Sequence, residues 1–146
     1  MKNRVTVMHG INLGALDRRP AEIYGGLSLM RLEQQIARFA RELGLEARYF
    51  QSDFEGEYVQ ELHKAGDFSD GLILNPGAWT HYAWALRDAL EIAGLPAVEV
   101  HLSDVDAREE FRKVSVIRDL CFATVKGEGV EGYRSALVKI KEKLEL

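Results

Sequence analysis

The run Val98–Arg112, VEVHLSDVDAREEFR, begins as an apolar strand-like stretch and then turns abruptly polar and charged. Within it Glu99 and His101 stand two residues apart, which places both side chains on one face of a strand. A carboxylate beside an imidazole orients the ring, and an oriented imidazole at a strand end can donate or accept a proton. A second candidate set is Arg18, Arg19 and Tyr24. A guanidinium close to a phenol favours the phenolate, which would make Tyr24 a base. Asn12, Asn75, His81 and Ser103 add neutral polar groups, and Arg108 and Arg112 add further positive charge. An acid, a base and several Arg around one cleft suit proton transfer on a small anionic substrate. Plainer roles compete: a loop Tyr as an amphipathic plug, His81 as a helix cap, Asn75 as turn chemistry.

These residues need elements that bring them together. Arg4–Met8 reads as a first strand stopping at His9-Gly10. Residues 11–26 carry Gly14, Pro20, Gly25 and Gly26 without sustained periodicity and read as a long functional loop. Ser28 caps a helix whose apolar positions Leu29, Leu32, Ile36, Phe39, Ala40 and Leu43 recur at helical spacing, with Gly44 ending it. Strands follow at Ala47–Phe50, Gly71–Leu74, Ala97–Val100 and Phe122–Val125. Helices are expected over about Glu55–Ala65, stopped by Gly66, over Thr80–Ala93, stopped by Gly94, and over Gly132–Leu146, with a short helical turn at 107–112.

Alternating strands and helices with short connections predict an α/β fold: a three-layer sandwich on a five-stranded parallel sheet of flavodoxin-like order 2-1-3-4-5, residues 1–146 forming one domain. Ligands in such sheets bind beyond the carboxyl ends of the strands, where strand order reverses. Strands 1, 3 and 4 end at His9–Asn12, Asn75–His81 and His101–Ser103, so His9, Asn12, Asn75, His81, His101 and Ser103 are expected to converge on one crevice. His63, between Glu61 and Lys64 in mid-helix, reads as a solvated surface residue.

Composition narrows the function classes. The net charge of −4 and scattered Lys and Arg argue against a nucleic-acid surface. Nowhere do about 18 apolar residues run uninterrupted, so no membrane span is expected. Cys121 is the single cysteine. It sits in an apolar run as a structural thiol, which with the lack of a signal peptide points to the cytoplasm. No HExxH, paired-Cys or calcium-loop pattern indicates a metal, and no GxGxxG or GxxxxGKS loop indicates a nucleotide. No cofactor is expected.

Taken as blocks, LNPGAWTH at 74–81, RDAL at 87–90, VEVHLS at 98–103 and AREEFR at 107–112, joined by INL at 11–13, Tyr24-Gly25 and Gly132-Tyr133, resemble the type II 3-dehydroquinate dehydratases over nearly the whole chain. The resemblance implies a flavodoxin-like fold and dehydration of 3-dehydroquinate to 3-dehydroshikimate, in the shikimate pathway, without a cofactor. It assigns Tyr24 as base with Arg19 assisting, Asn12 to the enolate, and His101, oriented by Glu99, as acid. Asn75, His81 and Arg112 match residues that hold substrate hydroxyls, and Leu102 and Ser103 match the carboxylate seat. Asp88 matches a residue that reaches a neighbouring subunit's site, in a dodecamer built of trimers. Independently, the helix HYAWALRDALEIA is apolar round most of its circumference, so Trp84 or its neighbours are expected to bury a subunit interface.

The chain departs from the family pattern at His9 and Ile11, at Asp104 and Asp106, and at Lys126. Two extra carboxylates beside the carboxylate seat are expected to weaken substrate binding. A non-catalytic or altered-specificity relative binding a small cyclic hydroxy acid is the alternative reading. A receiver domain would want Asp where Asn75 stands, and a flavin domain would want a hydroxyl-rich loop after the first strand.

Overall fold

A computed structural model describes residues 2–146. In chain order the elements are β1 (Arg4–His9), α1 (Ala21–Tyr24), α2 (Leu29–Leu43), β2 (Glu46–Gln51), α3 (Glu55–Lys64), β3 (Gly71–Asn75), α4 (Trp84–Ala93), β4 (Ala97–His101), β5 (Ala123–Lys126) and α5 (Glu131–Lys143). All five strands are parallel in the order β2-β1-β3-β4-β5, as the alternating pattern predicts.

Strand alternation divides the core in two. Val5 and Val7 of β1, Ile73 of β3, and Val98 and Val100 of β4 pack under α2 and α5. Met8, Leu72, Leu74 and Ala97 face the other way, against α3 and α4. α2 shows why such a helix docks: Leu32, Ile36, Phe39 and Ala40 form one buried stripe, each large side chain contributing about 1.5–3 kcal/mol on burial. Its ends are those expected, with the Ser28 side chain accepting from Arg31 N at 3.2 Å and Gly44 closing the helix at φ 74°.

The boundaries near the site differ more. The helix expected from Thr80 begins at Trp84, because residues Gly77–His81 form a tighter 3-10 turn first. The 107–112 turn resolves into two 3-10 turns, Val105–Ala107 and Glu110–Lys113. α3 stops at Lys64 and passes into a 3-10 turn, Ala65–Asp67, so Gly66 does not cap it directly. The 11–26 segment is not an open loop: a 3-10 turn spans Leu13–Arg18 and α1 follows. Leu13 and Leu16 are buried and anchor its first half to the α2–α5 core.

Two glycines lock the strand ends. A Cβ on Gly10 would lie 2.2 Å from the Pro76 carbonyl oxygen, and one on Gly77, at φ 67°, would lie 2.5 Å from that of Ile11. Gly10 N also donates to Asn75 O at 2.8 Å. The loops after β1 and β3 therefore touch backbone to backbone, an approach only glycine permits.

Candidate active site

Beyond the carboxyl ends of β1, β3 and β4 lies a cavity of about 380 Å³. Its walls include Asn12, Arg19, Tyr24, Asn75, His81, His101, Leu102, Ser103, Arg108 and Arg112. A volume of that order fits a small ring compound.

The β4 side is built from the sheet. Glu99 is fully buried and His101 nearly so, on the α3–α4 face. The His101 ring shares a 2.7 Å hydrogen bond between Nε2 and Glu99 Oε2, which leaves Nδ1 as the nitrogen free of Glu99. Glu99 Oε1 accepts from Ser115 Oγ at 2.7 Å, and Arg118 Nη2 lies 3.5 Å from Oε2. Burial opposes the Glu99 charge, but the His101 hydrogen bond and charge, Ser115 and Arg118 outweigh it and hold the carboxyl below its ordinary value. His81 stacks on His101 with ring centroids 6.5 Å apart, and its Nδ1 bonds Val114 O at 2.6 Å. Burial, only partly countered by that bond, lowers the His81 pKa. His81 closes a 3-10 turn and does not cap α4.

The opposite wall is the 11–26 segment. Arg19 Nη2 donates to the Tyr24 hydroxyl at 2.5 Å and Arg108 Nη1 donates to the same oxygen at 2.7 Å. Both guanidinium groups also lie over the ring, at 4.3 and 5.3 Å. Arg18 lines the cavity without joining them. Between the two walls, Asn75 Oδ1 accepts from Gly77 N at 3.2 Å while its Nδ2 donates to the Tyr133 hydroxyl at 3.4 Å. Turn chemistry and cavity lining thus coexist in one side chain. Asn12 takes a left-handed backbone, φ 70°, which Asn tolerates, and Asp53 accepts from its N–H at 2.8 Å. The carbonyls of Leu102 and Ser103 accept from Gly129 and Gly127, fixing their peptide planes. Arg112 is steadied by Glu109 at 3.0 Å.

Several expectations are corrected. His9 does not reach the crevice. β1 continues through it, so its side chain follows Val5 and Val7 under the helices, fully buried and stacked on Tyr49 at 6.4 Å. Neither ring nitrogen has a hydrogen-bond partner among the described residues, and burial pushes its pKa down to about 4. With the imidazole neutral, the 3.9 Å approach of Glu33 is a contact and not an ion pair. Asp88 is exposed on α4 and absent from the walls of this cavity. Nor do the extra acids stand free: Asp104 caps the 105–107 turn through Asp106 N, and Asp106 pairs with Lys126. One departure neutralises another. Cys121 is partly buried, and burial raises its pKa to about 12. His63 is exposed as expected.

Sequence reasoning did not find the Arg108–Tyr24 bond, nor Ser115, Arg118, Asp53 and Tyr133 as supports. Among the described residues no group of three or more His, Cys, Asp or Glu forms a potential metal site, and no helix is long and apolar enough to cross a membrane.

Residues 3–141 match the family model described as dehydroquinase class II. The chain is 48% identical over 142 residues to the 3-dehydroquinate dehydratase of Thermotoga maritima, covering 97% of each protein. It is 46% identical over 134 residues to that of Pelotomaculum thermopropionicum, covering 92% of this chain and 93% of the relative. Among solved structures, the type II dehydroquinase from Propionibacterium acnes superposes with a TM-score of 0.90 at 38% identity, covering 97% of this chain and 98% of its own. Sequence, sheet order and cavity agree, and the chain belongs to the class II dehydroquinase family.

Proposed function

We propose that this protein dehydrates 3-dehydroquinate to 3-dehydroshikimate through an enolate, in the shikimate pathway and without a cofactor, as a hydro-lyase. Tyr24, as phenolate, takes the proton from the carbon beside the ketone, with Arg19 and Arg108 offsetting the phenolate charge. The electron pair moves onto the carbonyl oxygen, and Asn12 stabilises that enolate through a water. His101 then protonates the C1 hydroxyl, which leaves as water while the enolate electrons form the ring double bond. Glu99 orients His101 throughout. Asn75, His81 and Arg112 hold substrate hydroxyls, and Leu102 and Ser103 receive the carboxylate.

The observation that carries this reading is the opposition, across one cavity, of a Tyr hydroxyl held by two guanidinium groups and a His tied to a buried carboxylate. The test is turnover: metal-free protein incubated with 3-dehydroquinate is expected to generate the ultraviolet absorbance of a conjugated enone. No absorbance change would reject the dehydratase reading in favour of a binding-only relative.

The one continuous sheet supports residues 1–146 as a single dehydratase domain. The assembly is a homo-oligomer, a dodecamer of trimers, in the cytoplasm, with neither nucleic acid nor membrane as partner. Its support is the exposure of Tyr82, Trp84 and Ile92 around Asp88 on α4, an apolar surface suited to a subunit contact. Asp88 would then reach the site of a neighbouring copy. Sedimentation of the wild type and of Trp84→Glu tests this: a monomer in the wild type rejects it.

A further inference from the structure

Glu99 poses a problem that His101 alone does not solve. Its carboxylate is wholly buried on the α3–α4 side, where an unpaired charge is costly by several kcal/mol. While His101 is protonated the two charges balance. Once His101 has given its Nδ1 proton to the departing hydroxyl, the ring is neutral and still donates Nε2–H to Glu99, but the positive charge is gone. Without another cation the carboxylate would resist that transfer and hold the proton on the ring.

Arg118 is the cation in position. Its guanidinium approaches Glu99 Oε2, the oxygen that binds His101, at 3.5 Å from the protein side of the pair, and it does not line the cavity. Its Nε and Nη2 are buried without a hydrogen-bond partner, so these donors are not committed elsewhere. Ser115 Oγ occupies the other carboxylate oxygen at 2.7 Å and is itself held by Ile117 N at 3.4 Å. The remaining charged and titratable groups around the pair are accounted for. His81 and Arg112 face His101 from neighbouring turns, Arg108 and Tyr24 line the same cavity, and Cys121 faces Glu99 with its thiol protonated. Apart from Arg118, the Arg residues among these are cavity-lining, where substrate engages them.

We propose that Arg118 is a positioning residue for the dehydration, the standing countercharge that keeps Glu99 compensated after His101 discharges its proton, with Ser115 fixing the carboxylate plane. The inference rests on His101 being the general acid. In the step concerned, the His101 Nδ1–H bond breaks, its proton joins the C1 oxygen, the C1–O bond breaks to release water, and the enolate electron pair becomes the new carbon–carbon double bond.

The experiment is steady-state kinetics on Arg118→Met, Arg118→Lys, Ser115→Ala and His101→Ala across pH 5–10, with thermal melting of each. Arg118→Met is expected to lower kcat about ten- to hundredfold, part of the 10²–10⁴-fold that a positioned proton donor supplies, with KM changed less than about twofold. Its kcat profile should keep activity to higher pH, the alkaline limb moving up by about one unit, because His101 holds its proton more tightly beside an uncompensated carboxylate. Arg118→Lys restores the charge and should recover most of kcat and the wild-type limb. Ser115→Ala should lower kcat severalfold with the limb in place. If Arg118→Met melts like wild type yet keeps wild-type kcat and pH limb while His101→Ala is inactive, Arg118 has no such role and the acid assignment stands. If His101→Ala turns over normally, the acid assignment itself fails. A kcat loss in Arg118→Met that Arg118→Lys does not recover also overturns the proposal, because charge is then not what matters.

Discussion

His101 and Tyr24 face the same cavity, but they are held there by different kinds of structure. His101 ends a strand with neighbours on both sides, is 5% exposed, and is tied to Glu99, which Ser115 and Arg118 hold in turn. Tyr24 ends a four-residue helix that buries none of its own residues, and its hydroxyl depends on two long, flexible Arg side chains. The acid is part of the sheet, whereas the base sits on a segment anchored mainly through Leu13 and Leu16. That division suits an enzyme that must admit a ring-shaped substrate and then exclude water: one wall stays fixed and the other closes.

The contrast can be broken most directly by removing each group. Tyr24→Phe is expected to abolish most turnover, by 10²-fold or more, with melting temperature unchanged, since only exposed polar contacts are lost. His101→Ala should cost kcat 10²–10⁴-fold and also lower the melting temperature, because it removes a partner of the buried Glu99. Equal melting losses in the two variants would contradict the contrast. Glu99→Gln should impair kcat less than His101→Ala, and the reverse order would reject an orienting role.

Glycine substitutions sharpen it next. Gly10→Ala meets the Pro76 backbone and should cost about 3 kcal/mol in denaturant unfolding. Gly25→Ala, at φ 86° with nothing within 4 Å, should cost only the left-handed backbone penalty, about 1 kcal/mol.

A pH test of the sheet gives a smaller effect. Burial holds His9 down to about 4 from an ordinary 6.5, so between those values the unfolded chain binds more protons than the folded one. Stability is complete above pH 6.5 and falls as the pH drops toward 4, by about 2 kcal/mol between pH 7 and 5. His9→Phe should flatten this dependence in thermal melts, whereas an identical slope in the variant would assign it to other groups. The lowered Glu99 acts in a separate window, below about 4.5, where its contribution is lost on further acidification.

The smallest expected effect concerns the exposed Asp106–Lys126 pair. Lys126→Met should raise KM about two- to threefold at low salt, and Asp106→Asn added to it should reverse the change. KM values that simply multiply in the double variant would show the two charges to be independent.

Much of this was legible in residue spacing. The sheet order followed from the alternation of strands and helices, and the Glu99–His101 pair from period-two geometry. His9 was misplaced because His9-Gly10 reads as a turn, although its parity with Val5 and Val7 already puts it on the helix face. The Arg108–Tyr24 bond joins residues 84 apart and depends on how the 11–26 segment folds back, which local periodicity does not encode. Asp106 and Lys126 looked like separate departures because only the β4–β5 register brings their segments together.

The interlocked glycines at 10 and 77 carry a consequence for ligand design. Where Gly10 meets Pro76 and Gly77 meets Ile11, the rim of the cavity is main chain rather than side chain. An inhibitor anchored on those peptide groups would grip atoms that no codon change removes, and side chains introduced at either glycine would endanger the fold before they could exclude the drug. Resistance would have to arise on the Tyr24 wall, where it would also touch the base.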